Sequence, residues 1–302
     1  MSLPSPIAVT GATGMVGSAL CRSLRDHGVE VRRLVRSRPA PGSSDVYWKP
    51  SAGEIDRDAL AGIEAAVHLA GESIAAGRWT AAKKERIVSS RVDGTRLLSQ
   101  ALAALDPKPR VLVSASAIGF YGDRGQHPVD ENSPPGAGFL AETCIAWEAE
   151  TRPAWEAGLR VVQTRIGVVL SDQGGALAKM LTPFKLGLGG VLGDGRQYMS
   201  WVTLDELVGV IEHCLANDGV HGAVNAVAPG AVTNREFTKT LGRVLGRPTV
   251  LAVPKFALRA AAGDLADEAL LASACVRPTR LQETGYEFRD PELELALLRV
   301  IP

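Results

Sequence analysis

The chain has 302 residues, 46% hydrophobic and 22% charged, with 33 basic side chains (Lys and Arg) against 33 acidic ones. That is room for one large domain or two smaller ones of ordinary globular composition. A net charge of zero supplies no field that would gather a nucleic acid or an anionic membrane, so neither is expected as a partner. The four cysteines, Cys21, Cys144, Cys214 and Cys275, are far apart and show no metal-ligand spacing, and they read as free thiols of a reducing compartment. No apolar run approaches the roughly 18 residues of a spanning helix, and no charged leader precedes a long apolar stretch, so the expected setting is cytoplasmic.

In chain order, residues 7–10 read as a strand and 15–27 as a helix stopped by Gly28. Residues 29–35 form a second strand, and after a connecting segment around Trp48 residues 65–70 form a third. A long helix over 82–105 ends before Asp106-Pro107; a strand at 110–114, a helix at 139–157 closed by Gly158 and a strand at 159–164 follow. The repetition predicts an α/β fold: a doubly wound parallel sheet with helices on both faces. Regularity falls after Val169. The Gly-rich stretch 187–195 reads as a loop that, with Gln197 to Trp201, lines a substrate mouth. A helix at 204–216, a strand at 223–228 and a mostly helical tail beyond Thr233 complete the chain. The expected division is a nucleotide-binding domain of residues 1–169 and 200–230 and a smaller, C-terminal substrate lobe of 170–199 and 231–302.

The turn Gly11-Ala12-Thr13-Gly14-Met15-Val16-Gly17 lies between the first strand and the first helix. Gly11 permits the tight turn, Gly14 lets a pyrophosphate approach the backbone, and Gly17 lets the helix pack on the strand. The free N–H groups and the helix dipole favour phosphate, and Thr10 and Thr13 would add hydroxyls. In this position the three glycines mark a dinucleotide site of Rossmann type. An acid normally ends the second strand and binds the ribose 2′-hydroxyl of NAD. Here the strand ends Leu34-Val35-Arg36-Ser37-Arg38, and Glu30 lies too far back. Arg36 would clamp a 2′-phosphate with help from Ser37, which predicts NADP(H). Arg32 and Arg33, and by the same reasoning Arg38, read as a solvated edge.

The Gly-x-x-Gly-x-x-Gly spacing resembles the extended branch of the short-chain dehydrogenase/reductase superfamily. So do His68-Leu69-Ala70-Gly71, Arg91-Val92-Asp93-Gly94-Thr95, Ser114-Ala115-Ser116-Ala117, Thr164-Arg165-Ile166-Gly167 and Ser200 to Asp205. Arg78-Trp79, Ser90-Arg91, Gly138 to Ala141, Trp147-Glu148, the segment 222–229 and the C-terminal runs 234–237, 245–248 and 278–281 narrow it. Together they resemble the atypical "epimerase family protein" subgroup over nearly the whole chain. The resemblance implies that Leu69, Ala70 and Gly71 lie beside the adenine and that Ser116 is the active-site serine. It places Arg91 where Asn is usual, near the cofactor. Arg165 leaves its strand at the ligand edge; for both arginines a plain salt bridge is the competing reading.

The resemblance also exposes a gap. The superfamily's Tyr-x-x-x-Lys pair, in which Lys lowers the Tyr pKa for proton transfer, is replaced by Phe139 and Thr143. Three substitutes are open: Tyr121, preferred because it follows Ser116; Glu142; and Cys144. An aromatic lid is the competing role for Tyr121. His68, His127 and His221 read as structural or surface residues. The functional expectation is therefore an NADP-dependent oxidoreductase or epimerase acting on a small carbonyl or hydroxyl compound through Ser116 and Tyr121. The alternative is an NADP(H)-sensing protein that kept the fold without turnover. Oligomeric state is not encoded in any of these features.

Overall fold

The computed structural model describes residues 2–301. Eight strands form the main sheet: β1 (Ile7–Thr10), β2 (Val31–Val35), β3 (Val46–Lys49), β4 (Glu54–Ile55), β5 (Ala65–His68), β6 (Val111–Ala117), β7 (Arg160–Ile166) and β8 (Gly222–Ala226). Their order across the sheet is β8-β7-β6-β5-β1-β2-β3-β4, parallel throughout except for the antiparallel β3–β4 pair. The chain winds outward from β1 to β4, then returns to place β5 on the other side of β1. That reversal opens a crevice at the C-terminal ends of β1 and β5, where ligands of such sheets bind.

The central strands β1, β5 and β6 are buried on both faces, and the sheet's side chains alternate between two cores. Ile7, Val9, Val67, Val113 and Val162 share one core with Leu20 and Leu24 of helix α1 (Met15–Asp26). Ala8, Ala66, Leu112 and Val161 face the opposite way, toward Leu98 and Leu102 of α2 (Ala81–Ala103). Two further helices cover that second face: α3 (Phe139–Ala149) and the short α4 (Arg152–Glu156). The helix expected over 139–157 is thus broken. Thr151 turns its hydroxyl back to the Glu148 carbonyl (2.7 Å), and Pro153 has no N–H to continue the ladder.

Beyond β7 the chain builds a second region around Leu177 and Phe184 of α5 (Gly175–Lys185), Trp201, and Phe237 and Leu241 of α7 (Asn234–Val244). Between these, α6 (Leu204–Ala216) returns to the first core through Leu207 and Ile211. The Gly-rich stretch expected as a loop contains a strand, Gly190–Leu192, paired in parallel with Leu251–Val253. The segment around Trp48, expected as a connection, instead supplies β3 and β4. Its apolar residues are too few to show a period, and Trp48 is buried only because α2 covers it.

Candidate functional site: an open phosphate turn and a closed hydroxyl network

Each glycine of the turn after β1 meets a definite steric demand. Gly11 has φ +65°, and a Cβ there would lie 2.9 Å from the Leu69 carbonyl carbon. A Cβ on Gly17 would lie 2.1 Å from the Gly11 carbonyl oxygen, so helix and turn approach as only glycine allows. Gly14 caps α1, its N–H donating to Gly11 O at 2.9 Å. It offers no side-chain cap, and the first turn holds no acid. Among the described residues the N–H groups of Met15, Val16 and Gly17 find no backbone acceptor outside the helix. They form a partial positive charge beside exposed Thr13 and Gly14, suited to an anion. The Met15 side chain runs under the start of α5, 3.3 Å from where a Gly174 Cβ would sit.

Thr10 does not join them. It is fully buried, and its Oγ1 accepts from Leu69 N (3.0 Å) and Ala70 N (3.2 Å). Its proton therefore goes to His68 Nδ1 at 2.8 Å. This clamp shapes the Leu69-Ala70-Gly71 backbone across the crevice from the turn. Burial pushes His68 down to about 4, so the imidazole is neutral and structural.

The four arginines around the end of β2 separate cleanly. Arg32 is held by Glu30 (2.9 Å) and the Ala61 carbonyl (2.8 Å), and Arg33 pairs with Asp45 through Nε and Nη2. Arg38 lies 4.9 Å over the Tyr47 ring. Arg36 is exposed and, among the described residues, has no ion-pair partner; Ser37 beside it is exposed too. Arg91 reaches the crevice from α2. Its guanidinium carbon lies 3.3 Å from where a Gly71 Cβ would sit, and Nη1 donates to the carbonyls of Glu72 (3.0 Å) and Ile87 (3.1 Å).

The other side of the crevice is closed. Arg165, expected at the cofactor, is 5% exposed and grips Glu148 with two bonds, Nε to Oε1 (2.8 Å) and Nη2 to Oε2 (2.9 Å). Its Nη1 donates to the Tyr121 hydroxyl (3.0 Å), and the guanidinium lies 3.4 Å over the Phe120 ring. With a fourth bond from Nη1 to the Glu131 carbonyl (3.4 Å), four of its five N–H groups go to protein acceptors rather than to the cofactor side expected for it. Tyr121, preferred as proton carrier, is 0% exposed, and its hydroxyl donates to Asn225 Oδ1 at 2.7 Å. Burial pushes the phenol up to about 12, against the pull of Arg165, so it stays protonated and internal. Ser116 is 2% exposed, and its Oγ donates to Glu148 Oε1 at 2.6 Å. Both expected catalytic hydroxyls thus belong to one buried network.

The remaining substitutes fare no better. The Cys144 thiol is buried and pushed up to about 11 by desolvation, so it is no nucleophile near neutrality. Thr143 donates back to the Phe139 carbonyl (2.7 Å), and Glu142 points outward from α3. The Phe139 ring packs edge-on against Trp79, 5.2 Å between centroids. From the C-terminal region, Glu268 accepts from Phe139 N and Leu140 N at 3.1 Å each, and Gly138 (φ +104°) leaves it room. Sequence reasoning missed Glu148, Asn225, Glu268 and Glu131, whose Oε1 accepts from Asn225 N (3.0 Å) and Arg280 N (3.2 Å), as site-forming residues. Glu148 carried a signal: it shares a helical stripe with the apolar Ala141 and Cys144, where a charge needs a buried partner.

Comparison with known proteins settles the family. A family model described as "NAD dependent epimerase/dehydratase family" matches residues 7–227. The chain belongs to this family. A second model, a domain of unknown function, DUF1731, matches residues 253–300. An epimerase family protein of Mycobacterium tuberculosis is 44% identical over 291 residues, 96% of each chain. The human epimerase family protein SDR39U1 is 36% identical, covering 98% of this chain and 99% of that one. A crystal structure of the human protein, isoform 2 with NADPH, superposes with a TM-score of 0.87 over 97% of this chain and 98% of that one. The extended short-chain dehydrogenase/reductase resemblance read from the motifs therefore holds. Among the described residues no helix is long and apolar enough to cross a membrane.

Proposed function

We propose that this protein binds NADP(H) and exchanges hydride with a small carbonyl or hydroxyl compound, without the side-chain hydroxyl relay of its superfamily. The observation that carries the reading is the pairing of an uncapped glycine turn with an unpaired Arg36 at the end of the neighbouring strand. The donor set fits the cofactor. N–H groups of Met15, Val16 and Gly17, with the Thr13 hydroxyl, hold the pyrophosphate; Arg36 and Ser37 take the 2′-phosphate; Leu69, Ala70 and Gly71 line the cofactor's other side, across the crevice from the turn. The NADPH in the human relative's structure supports the choice of cofactor. When bound, NADPH supplies a hydride from its nicotinamide ring. Ser116, Tyr121, Glu148 and Arg165 act one layer below, keeping the floor rigid and dry, and the proton exchanged with substrate oxygen comes from water in the cleft.

A second reading, an NADP(H)-sensing protein without turnover, is favoured by one specific observation: the hydroxyls of Ser116, Tyr121 and Thr143 all donate to protein acceptors. The two separate in an assay of NADPH oxidation across a panel of small aldehydes and ketones. Sustained oxidation that survives Tyr121→Phe supports hydride transfer without a relay. Oxidation abolished by Tyr121→Phe returns the phenol to the chemistry and sinks the proposal. Tight NADPH binding with no oxidation of any panel member establishes the sensor.

A further inference from the structure

The crevice beyond Gly71 carries more positive charge than its own side chains neutralise. Glu72 follows Gly71 and is bolted to α2: its N–H donates to Ser90 Oγ (3.0 Å), and its carbonyl accepts from Arg91. Its carboxylate is claimed by Lys83, whose Nζ lies 2.6 Å from Oε1, with Arg86 3.9 Å from the same oxygen. Lys83 is itself buried, so this bond is not a loosely solvated surface pair. One carboxylate thus answers two cations before Arg91 is counted.

Arg91 has no carboxylate within ion-pair distance among the described residues. Two bonds from Nη1 to carbonyls fix its orientation but do not neutralise it. Its guanidinium lies 5.1 Å from the Trp147 ring on one side and against Gly71 on another. Nε and Nη2 have no protein acceptor, yet they are not among the sequestered polar atoms, so this edge of the fork meets the cleft. A largely desolvated guanidinium without a counter-ion is costly, and burial pulls its pKa down. Arg165 shows the contrast: equally inward, it is fully matched by Glu148.

We infer that Arg91 is the recognition cation for the substrate, and that the substrate is a small oxyanion-bearing compound, a carboxylate or a phosphate ester. A planar oxyanion on Nε and Nη2 would satisfy the two free donors and balance the excess charge of Lys83, Arg86 and Arg91 over Glu72. Gly71 is the counterpart, since a side chain there would press on the guanidinium. The inference rests on the cofactor reading above, because it reserves Arg91 for substrate and leaves the cofactor phosphates to the turn and Arg36.

The test titrates inorganic phosphate and malonate into the full-length protein, with and without saturating NADPH, at fixed ionic strength, read by thermal shift and NADPH fluorescence. The expected result is saturable uptake of at least one anion by the NADPH-loaded protein, weakened about tenfold or more in Arg91→Gln. Arg91→Lys, which keeps the charge without the fork, should recover part of it, and NADPH affinity should change less than about threefold in either variant. Two results overturn the inference: uptake of neither anion, or a loss of NADPH affinity in Arg91→Gln as large as the loss of anion affinity. Failure of NADPH to bind the wild type defeats the cofactor reading instead, and the Arg91 dependence of anion uptake by the unloaded protein then decides this one.

Discussion

The two sides of the crevice are built on opposite principles. On the β1–β2 side the groups that would meet a ligand are left unpaired: the leading N–H groups of α1, exposed Thr13 and Gly14, and Arg36. On the β6–β7 side every comparable group is spent, with Ser116, Tyr121 and Arg165 locked to Glu148 and Asn225. An unpaired polar group exposed at a cleft costs little in water and gains on binding, whereas buried polar groups must be satisfied by the fold itself. Sequence motifs mark both sides alike, and only the folded structure separates the open donors from the engaged ones. The lesson is to ask where each donor's hydrogen goes.

The contrast breaks first at Glu148. Removing one partner of a buried ion pair leaves a charge uncompensated, so Glu148→Ala should destabilise folding by about 3–5 kcal/mol. Chemical denaturation checks this, and an unchanged midpoint would mean that the network is not the floor described. Next, Gly14→Val puts a side chain where the pyrophosphate must approach and should weaken NADPH about 100-fold with little change in melting temperature. Fluorescence titration measures it, and normal affinity would remove the turn from the site. Tyr121→Phe deletes one buried hydroxyl with two partners and should cost about 1–3 kcal/mol of stability while leaving any turnover and its pH profile in place. The smallest effect concerns Cys144. With its thiol pushed up to about 11, the thiolate appears only as pH rises toward that value, so native protein should resist iodoacetamide at this residue at pH 8. Peptide mapping at Cys144 gives the answer.

Much of the fold was legible because strands buried on both faces and helices with one apolar stripe leave strong patterns. Residues 7–10 and 204–216 were predicted to the residue. What failed depended on distant partners: β3 becomes a strand because α2 covers Trp48, and Gly190–Leu192 because Leu251–Val253 lies beside it. In the site, the glycine turn was legible since its demands are local. Arg36 was singled out by its place at the end of β2, where no acid stands, and its three neighbours have other partners. The burial of Ser116, Tyr121 and Arg165 was not legible, because their partners Glu148 and Asn225 reach them only through the folded chain. Thr10 failed for the same reason, its hydroxyl being taken by His68.

The measurement that tests the open side most directly is the ratio of NADPH to NADH affinity in wild type and in Arg36→Asp. A charge-assisted contact to the 2′-phosphate should make the substitution weaken NADPH by about tenfold to 100-fold. NADH, which has no group at that place, should change by no more than about threefold. Equal losses for the two cofactors would contradict the assignment of Arg36, and with it the claim that this side of the crevice is left unpaired for NADP(H).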